Sequence, residues 1–180
     1  FPVIFGAASM FAAVESAMLI FLPILALELG HSIEVGTQVL TVYGLGLVAS
    51  QIPVGQLADK FSPRLVVTGC SGLAALFALM VPFVQTELWA LHAVLFVWGG
   101  AIGGIYTAGL VVVGNTFKGE ALAAANTGFT FAYAVGGVLG PFAAGVIRDG
   151  MGGNGLIGLI AVALALYACA AARRPTADRA

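Results

Sequence analysis

The sequence has 180 residues, of which 61% are hydrophobic and only 8% are charged, with a formal net charge of -1. Soluble globular domains carry about 25% charged residues, so the composition excludes that class, and the near-zero net charge offers no basic face to nucleic acid. Mean hydropathy is +1.06, and apolar stretches long enough to cross a hydrocarbon core of about 30 Å recur along the chain. The composition therefore predicts an integral membrane protein surrounded by lipid.

Turn residues and charges divide the chain into six apolar segments. None alternates with a period of two over about ten residues, as the strands of a membrane barrel do. We therefore predict an all-α fold in which residues 1–180 form a single membrane domain with short loops. In chain order, the predicted transmembrane helices cover about 3–29, 35–58, 64–84, 88–116, 120–147 and 155–172.

The first predicted helix carries an acidic residue near its centre. An ionised carboxylate at the position of Glu15 costs several kcal/mol in hydrocarbon, so the side chain is expected to be protonated, paired or facing water. One interpretation is proton coupling or binding of a cationic group. The other is a structural carboxylate that is hydrogen-bonded to a neighbouring helix through a partner such as Gln51 or Asn126.

The second predicted helix contains amide side chains and ends in a polar turn. Gln38 and Gln51 are candidates for contact with a solute, because polar groups within a membrane span face the bundle interior or an aqueous cavity. Residues 55–64, GQLADKFSPR, then place one acid and two bases between apolar segments. Because Lys and Arg accumulate in cytoplasmic loops, this stretch is interpreted as a cytoplasmic turn.

The same stretch resembles the cytoplasmic-loop signature of major facilitator superfamily transporters. Ser62 and Pro63 stand where that family usually has a glycine and a basic residue. The runs YGLGLVASQIPVG and GGVLGPFAAGVIRD extend the resemblance to essentially the whole chain. It implies the C-terminal six-helix half of a transporter, built from two inverted three-helix repeats, similar to bacterial permeases of unassigned substrate. The matching loop positions are Gly55, Leu57, Ala58, Asp59, Lys60 and Arg64.

Two interpretations of this turn remain open. Asp59 can accept hydrogen bonds from Lys60, from Arg64 or from a neighbouring helix N-terminus. If such contacts form in one transport state and break in another, the turn acts as a latch. The alternative is an ordinary positively charged turn. Gly55 is expected to let its helix approach a neighbouring backbone closely.

The third predicted helix contains the tetrapeptide GCSG at 69–72, which resembles the nucleophile motif of intramembrane serine proteases. That chemistry needs a histidine on a later helix to accept the serine proton. The histidines, His31 and His92, instead lie in a loop and near the opposite membrane face, so no enzyme is predicted. Neither they nor the two cysteines, Cys70 and Cys169, have a second ligand at metal spacing, and we predict no metal, cofactor or disulfide.

The fifth predicted helix has a polar face. Asn126, Thr130 and Tyr133 follow at i, i+4 and i+7, which places them on one side of the helix. They are predicted either to contact the solute or to hydrogen-bond a neighbouring helix.

Small residues follow this polar face. Gly136 and Gly140 permit a close helix crossing, and Pro141 lacks a backbone donor and therefore favours a kink. Their predicted role is helix packing rather than binding.

The helices differ in polarity in a way that suggests a repeat. The first, second, fourth and fifth helices carry most of the polar side chains, whereas the third and sixth contain few. We therefore expect two similar three-helix units, in which the third helix of each faces lipid and the other four helices line a cavity.

Basic residues predict the orientation. Arg148 falls on one side of a six-span topology and the other basic residues on the opposite side, which should be cytoplasmic together with both termini. Those six are Lys60, Arg64, Lys118, Arg173, Arg174 and Arg179.

The resemblance thus implies a secondary transporter that moves a small solute by alternating access in the bacterial cytoplasmic (inner) membrane, with coupling to protons through Glu15 as one of the two interpretations of that residue. The expected partners of the transporter are membrane lipid and the solute. A third partner is also expected: a missing N-terminal six-helix half, a second copy of the chain or a larger membrane complex. Nucleic acid is not expected. The alternative is a non-transporting structural or assembly subunit of such a complex. Because the chain starts at Phe1 with no basic stretch before a long apolar run, it is expected to be processed, truncated or part of a longer protein.

Overall fold

Helices account for nearly all of residues 2–173, the part of the chain that this computed structural model describes, and no strand occurs there. Arg174 and Arg179, which entered the prediction of orientation, lie outside the described residues. In chain order the helices are α1 (Pro2–Glu28), α2 (Ile33–Ala49), α3 (Gln51–Lys60), α4 (Pro63–Val84), α5 (Leu88–Thr116) and α6 (Gly119–Ala172).

Five of these helical stretches are long and apolar enough to cross a membrane, with α2 and α3 counted together as Ile33–Lys60. The predicted all-α fold is therefore confirmed for the described residues, whereas the prediction of six separate transmembrane helices is not. The division between α2 and α3 was not predicted. It falls at Ser50, three residues before Pro53, and proline cannot donate the backbone hydrogen bond that would continue the ladder across this point.

The last two predicted helices form one element, α6, which reverses at a glycine. A straight helix of its 54 residues would extend about 80 Å. Instead, Gly152 has non-helical backbone angles of φ 74° and ψ 177°. We call residues 119–151 the first arm of α6 and residues 153–172 its second arm.

The two arms run along α1 in opposite directions. Going forward, the first arm meets α1 at Phe5, beside Gly128, and then at Ser9, beside Gly136. On its return, the second arm brings Tyr167 within 3.0 Å of the position that a Cβ on Gly6 would occupy. The α6 element is therefore a helical hairpin closed against the first helix.

Helix α5 lies at the centre of the bundle. In its apolar window 61% of the residues are buried, against 39% or less in each of the other spans. A Cβ on Gly99 would overlap the backbone of Tyr43, so α2 and α5 cross almost backbone to backbone. Gly55 does not serve this purpose, because a Cβ there would meet only Thr107 Cγ2, at an ordinary 3.9 Å.

A second close crossing joins α1 to the first arm of α6. Added methyl groups on Gly136 and Gly140 would overlap the α1 backbone at Ser9 and Ala13. The hydroxyl of Ser9 also donates a hydrogen bond to the carbonyl oxygen of Ala132, at 2.9 Å. Gly152 is the residue of α6 with non-helical backbone angles, and the kink at Pro141 stays a prediction.

Candidate functional site

The Glu15 carboxylate lies about halfway along α1 and is partly buried. The hydroxyl of Tyr133, on the first arm of α6, donates a hydrogen bond to Glu15 Oε2 at 3.1 Å. The expected partners Gln51 and Asn126 were therefore wrong. Tyr133 was predicted as a candidate site residue, but not as the group that bonds Glu15.

Tyr133 also belongs to a group of four aromatic rings from three helices. Tyr106 of α5 lies 4.9 Å from Phe11, 5.4 Å from Phe129 and 6.0 Å from Tyr133, measured between ring centroids. Phe11 and Tyr133 are 5.9 Å apart. We refer to Phe11, Tyr106, Phe129 and Tyr133 as the aromatic cluster. Because Tyr133 belongs to it, the cluster is continuous with the Glu15 carboxylate.

A second aromatic pair borders the site from α2 and α5. The rings of Tyr43 and Trp98 meet edge to face with centroids 5.9 Å apart, and both side chains are fully buried. The Tyr43 hydroxyl and Trp98 Nε1 have no hydrogen-bond partner, although the Tyr43 hydroxyl lies within electrostatic reach of Glu15. The Tyr43 hydroxyl is thus an unsatisfied polar group near the carboxylate, whereas buried donors normally have partners.

The remaining candidates do not converge on Glu15. Asn126 and Thr130 are exposed and line an open groove on the first arm of α6, on the same helix face as Tyr133. Gln38 and Gln51 are exposed on α2 and α3. The aromatic cluster was not identified from the sequence. The hydroxyl groups of Tyr106 and Tyr133, which are polar groups within apolar helices, could have indicated it.

An ion pair lies at the far end of α1. Arg148, near the end of the first arm of α6, binds the Glu28 carboxylate. Its guanidinium carbon lies 5.6 Å from the ring centroid of Phe21, a distance compatible with a cation–π contact. The neighbouring Asp149 is exposed.

Sequence comparison identifies the family to which this bundle belongs. The family model described as Major Facilitator Superfamily matches residues 4–179. The chain belongs to the major facilitator superfamily. An uncharacterized MFS-type transporter, YfkF of Bacillus subtilis (strain 168), is 28% identical over 133 residues, which are 73% of this chain and 33% of that relative. The chain therefore matches about a third of the length of that relative.

Membership in the major facilitator superfamily confirms the resemblance carried by GQLADKFSPR. The family signature lies at the α3–α4 turn. Asp59 and Lys60 are exposed at the end of α3, and Pro63 occupies the first turn of α4. Whether this turn acts as a latch stays a prediction. Within residues 2–173 no group of three His, Cys, Asp or Glu side chains could hold a metal ion.

Proposed function

We propose that this chain is the C-terminal half of a secondary active transporter, in which Glu15 couples the movement of a small solute to protons. The Glu15–Tyr133 hydrogen bond is the observation that carries the proposal. It holds a carboxyl group in the middle of an apolar helix, and its partner there is a neutral hydroxyl. Ionisable groups at such depth are costly and serve transport pathways or proton relays in membrane proteins.

Six membrane spans are part of the proposal. The hydrocarbon core is about 30 Å thick, so each arm of α6 is of the length that one crossing needs. The reversal at Gly152 supports two crossings by α6. Together with α1, the α2–α3 pair, α4 and α5, they make two three-helix repeats of the kind found in this superfamily.

The second half of the transporter would face the exposed polar positions. Alternating access needs two bundles that move around a site between them. The MFS relative is about three times as long as the segment that matches, which supports a partner half elsewhere in the full-length protein. Asn126, Thr130 and Gln38 would then lie along the boundary between the halves.

The proposed orientation places both termini in the cytoplasm of a bacterial cell. Arg148 pairs with Glu28 at the end of α1, whereas the other described basic residues belong to the turns at the opposite end of the bundle. An excess of Lys and Arg marks the cytoplasmic side. That end includes Lys60, Arg64, Lys118 and Arg173.

Transport by the reconstituted full-length protein tests this function. Proteoliposomes that contain a pH-sensitive dye are challenged with a panel of small solutes, and at least one solute is expected to drive proton flux. Glu15→Gln should abolish that flux, because the amide cannot release a proton. Glu87→Gln is the matched control, since Glu87 lies in the loop before α5. Equal flux from the Glu15→Gln protein and the native protein across the acidic to neutral range would remove Glu15 from the mechanism.

A further inference from the structure

The carboxylate of Glu15 has no positively charged counterpart in the described chain. The basic residues of residues 2–173 all lie at helix ends or in turns: Lys60, Arg64, Lys118, Arg148 and Arg173. The contact of Glu15 with α6 is made by the Tyr133 hydroxyl, and the titratable group near it on α2 is Tyr43. Neither group carries a positive charge. Among residues 2–173 no basic side chain neutralises the carboxylate, which leaves that role open to a proton or a cationic ligand.

The aromatic cluster adds a second attraction for positive charge. The face of an aromatic ring is electronegative and attracts a cation that lies within about 6 Å of the ring centroid. Tyr133 links the two features, because its hydroxyl binds Glu15 while its ring packs 5.9 Å from Phe11 and 6.0 Å from Tyr106. A carboxylate beside such rings attracts cations and repels anions.

The surroundings of Glu15 also select for an apolar ligand body. On α1 itself, Phe11 lies one helical turn before Glu15 and Met18 one turn after it, and both side chains are buried. A sugar or another polyhydroxylated solute would need many hydrogen-bonding groups, whereas the groove lined by Asn126 and Thr130 includes neither Glu15 nor the four rings.

We propose that this site takes hydrophobic organic cations of single charge, with the charge at Glu15 and the apolar body against Phe11, Tyr106 and Tyr133. This inference rests on the proposed function, because it names the class of solute that the transporter would move. The proton and the cation would then compete for one carboxylate.

A pair of ions that match in size and differ in sign provides the probe. Binding of tetraphenylphosphonium to the purified full-length protein is measured by equilibrium dialysis and compared with binding of tetraphenylborate. We expect saturable binding of the cation only. Glu15→Gln should weaken it at least about tenfold, the change that corresponds to about 1.4 kcal/mol, whereas Glu87→Gln should leave it unchanged.

Two substitutions at one ring separate the cation–π contact from the hydroxyl. Tyr106→Phe keeps the ring and should keep the affinity for tetraphenylphosphonium. Tyr106→Leu removes the ring face and should weaken binding about two- to twentyfold. Monodisperse gel filtration of each variant shows that the protein is folded.

Absence of saturable tetraphenylphosphonium binding, equal binding by Glu15→Gln, or equally tight binding of tetraphenylborate would each overturn the inference. Failure of the cation site is distinguishable from failure of the transporter. Glu15-dependent proton flux driven by a neutral or anionic solute would keep the transporter and overturn the cation site. Glu15-dependent cation binding with no flux of any solute would support the site and overturn the transport function.

Discussion

Tyr133 joins two helices through two different parts of one side chain. Its hydroxyl binds Glu15 on α1, 118 positions away in the sequence, and its ring packs on Tyr106 of α5. Helical spacing placed Tyr133 on the polar face of its helix, together with Asn126 and Thr130. Helical spacing could not identify the hydrogen-bond partner of Glu15. The partner depends on how the arms of α6 lie against α1, and contacts between residues far apart in the chain determine that arrangement.

Removal of the Tyr133 hydroxyl tests this contact. Tyr133→Phe leaves the acceptor on Glu15 without its donor, and we expect a loss of about 0.5–1.5 kcal/mol in the free energy of unfolding for this partly exposed bond. In addition, the carboxyl stretching band of protonated Glu15 should shift in the infrared difference spectrum. Tyr106→Phe is the matched control, because its ring belongs to the same cluster. Identical effects of the two substitutions would contradict the assigned hydrogen bond.

At the scale of the helices, glycines differ according to what lies opposite them. Gly136 faces the backbone of Ser9 on α1, whereas a Cβ on Gly72 of α4 would meet open space. Both residues lie within apolar helices, but Gly136 is followed four positions later by Gly140, whereas Gly72 is followed there by Leu76. In lipid, close backbone approach at small residues is a main source of helix association. The first glycine is therefore a packing residue, and the second is replaceable.

This contrast gives a paired prediction. Gly136→Ala should lower the free energy of unfolding by about 1–3 kcal/mol, the usual cost of forcing a methyl group into a filled contact. Gly72→Ala should be neutral or slightly stabilising, because alanine favours a helix over glycine by up to about 1 kcal/mol. Thermal unfolding in detergent measures both variants. A stable Gly136→Ala protein would mean that α1 and the first arm of α6 do not cross this closely.

Gly152 adopts a backbone conformation that would strain other residues. Its angles of φ 74° and ψ 177° belong to a region that is essentially restricted to glycine, and occupancy by another residue costs about 1–3 kcal/mol. No atom lies within 4 Å of an added Cβ at either Gly152 or Gly150, so crowding plays no part. We expect Gly152→Ala to lower the melting temperature and Gly150→Ala, which lacks the positive φ, to leave it nearly unchanged. Equal melting of both variants would argue against the reversal at Gly152.

The predicted helices agree with the structure where turn chemistry marks their ends. The third and fourth predicted helices, 64–84 and 88–116, correspond to α4 and α5. Pro63 marks the start of α4, and the polar stretch after Val84 marks its end. The break at Ser50 was missed, because it depends on the hydrogen bond that Pro53 cannot donate. The reversal in α6 was predicted as a loop over 148–154, whereas only Gly152 leaves the helical conformation.

At the scale of the whole molecule, the Glu28–Arg148 ion pair connects the end of the first helix to the hairpin formed by the last. Both side chains retain contact with solvent, with 46% of the Glu28 side chain and 23% of the Arg148 side chain exposed. Solvent screening limits the contribution of such pairs to about 1 kcal/mol or less. The pair therefore orients the two elements more than it stabilises the bundle.

A double-mutant cycle measures this link. Arg148→Glu alone should lower the melting temperature, and adding Glu28→Arg should restore part of the loss. The coupling free energy should stay below about 1 kcal/mol and shrink at high salt. Asp149→Asn provides the control beside the pair and should have no effect. A coupling of zero, or a loss from Asp149→Asn as large as that from Arg148→Glu, would contradict the pairing.

The hairpin in α6 also bears on how the chain enters a bilayer during synthesis. The second arm follows the first after a single non-helical residue, so no free linker separates their insertion. Helix α1 leaves the ribosome long before either arm. Ser9 and Ala13, which face the glycines of the first arm, and Glu28, which binds Arg148, are then already available for contact. The hairpin would then close as one unit onto α1. A nascent chain stopped near residue 151 would leave α1 without the contact that Tyr167 of the second arm makes beside Gly6.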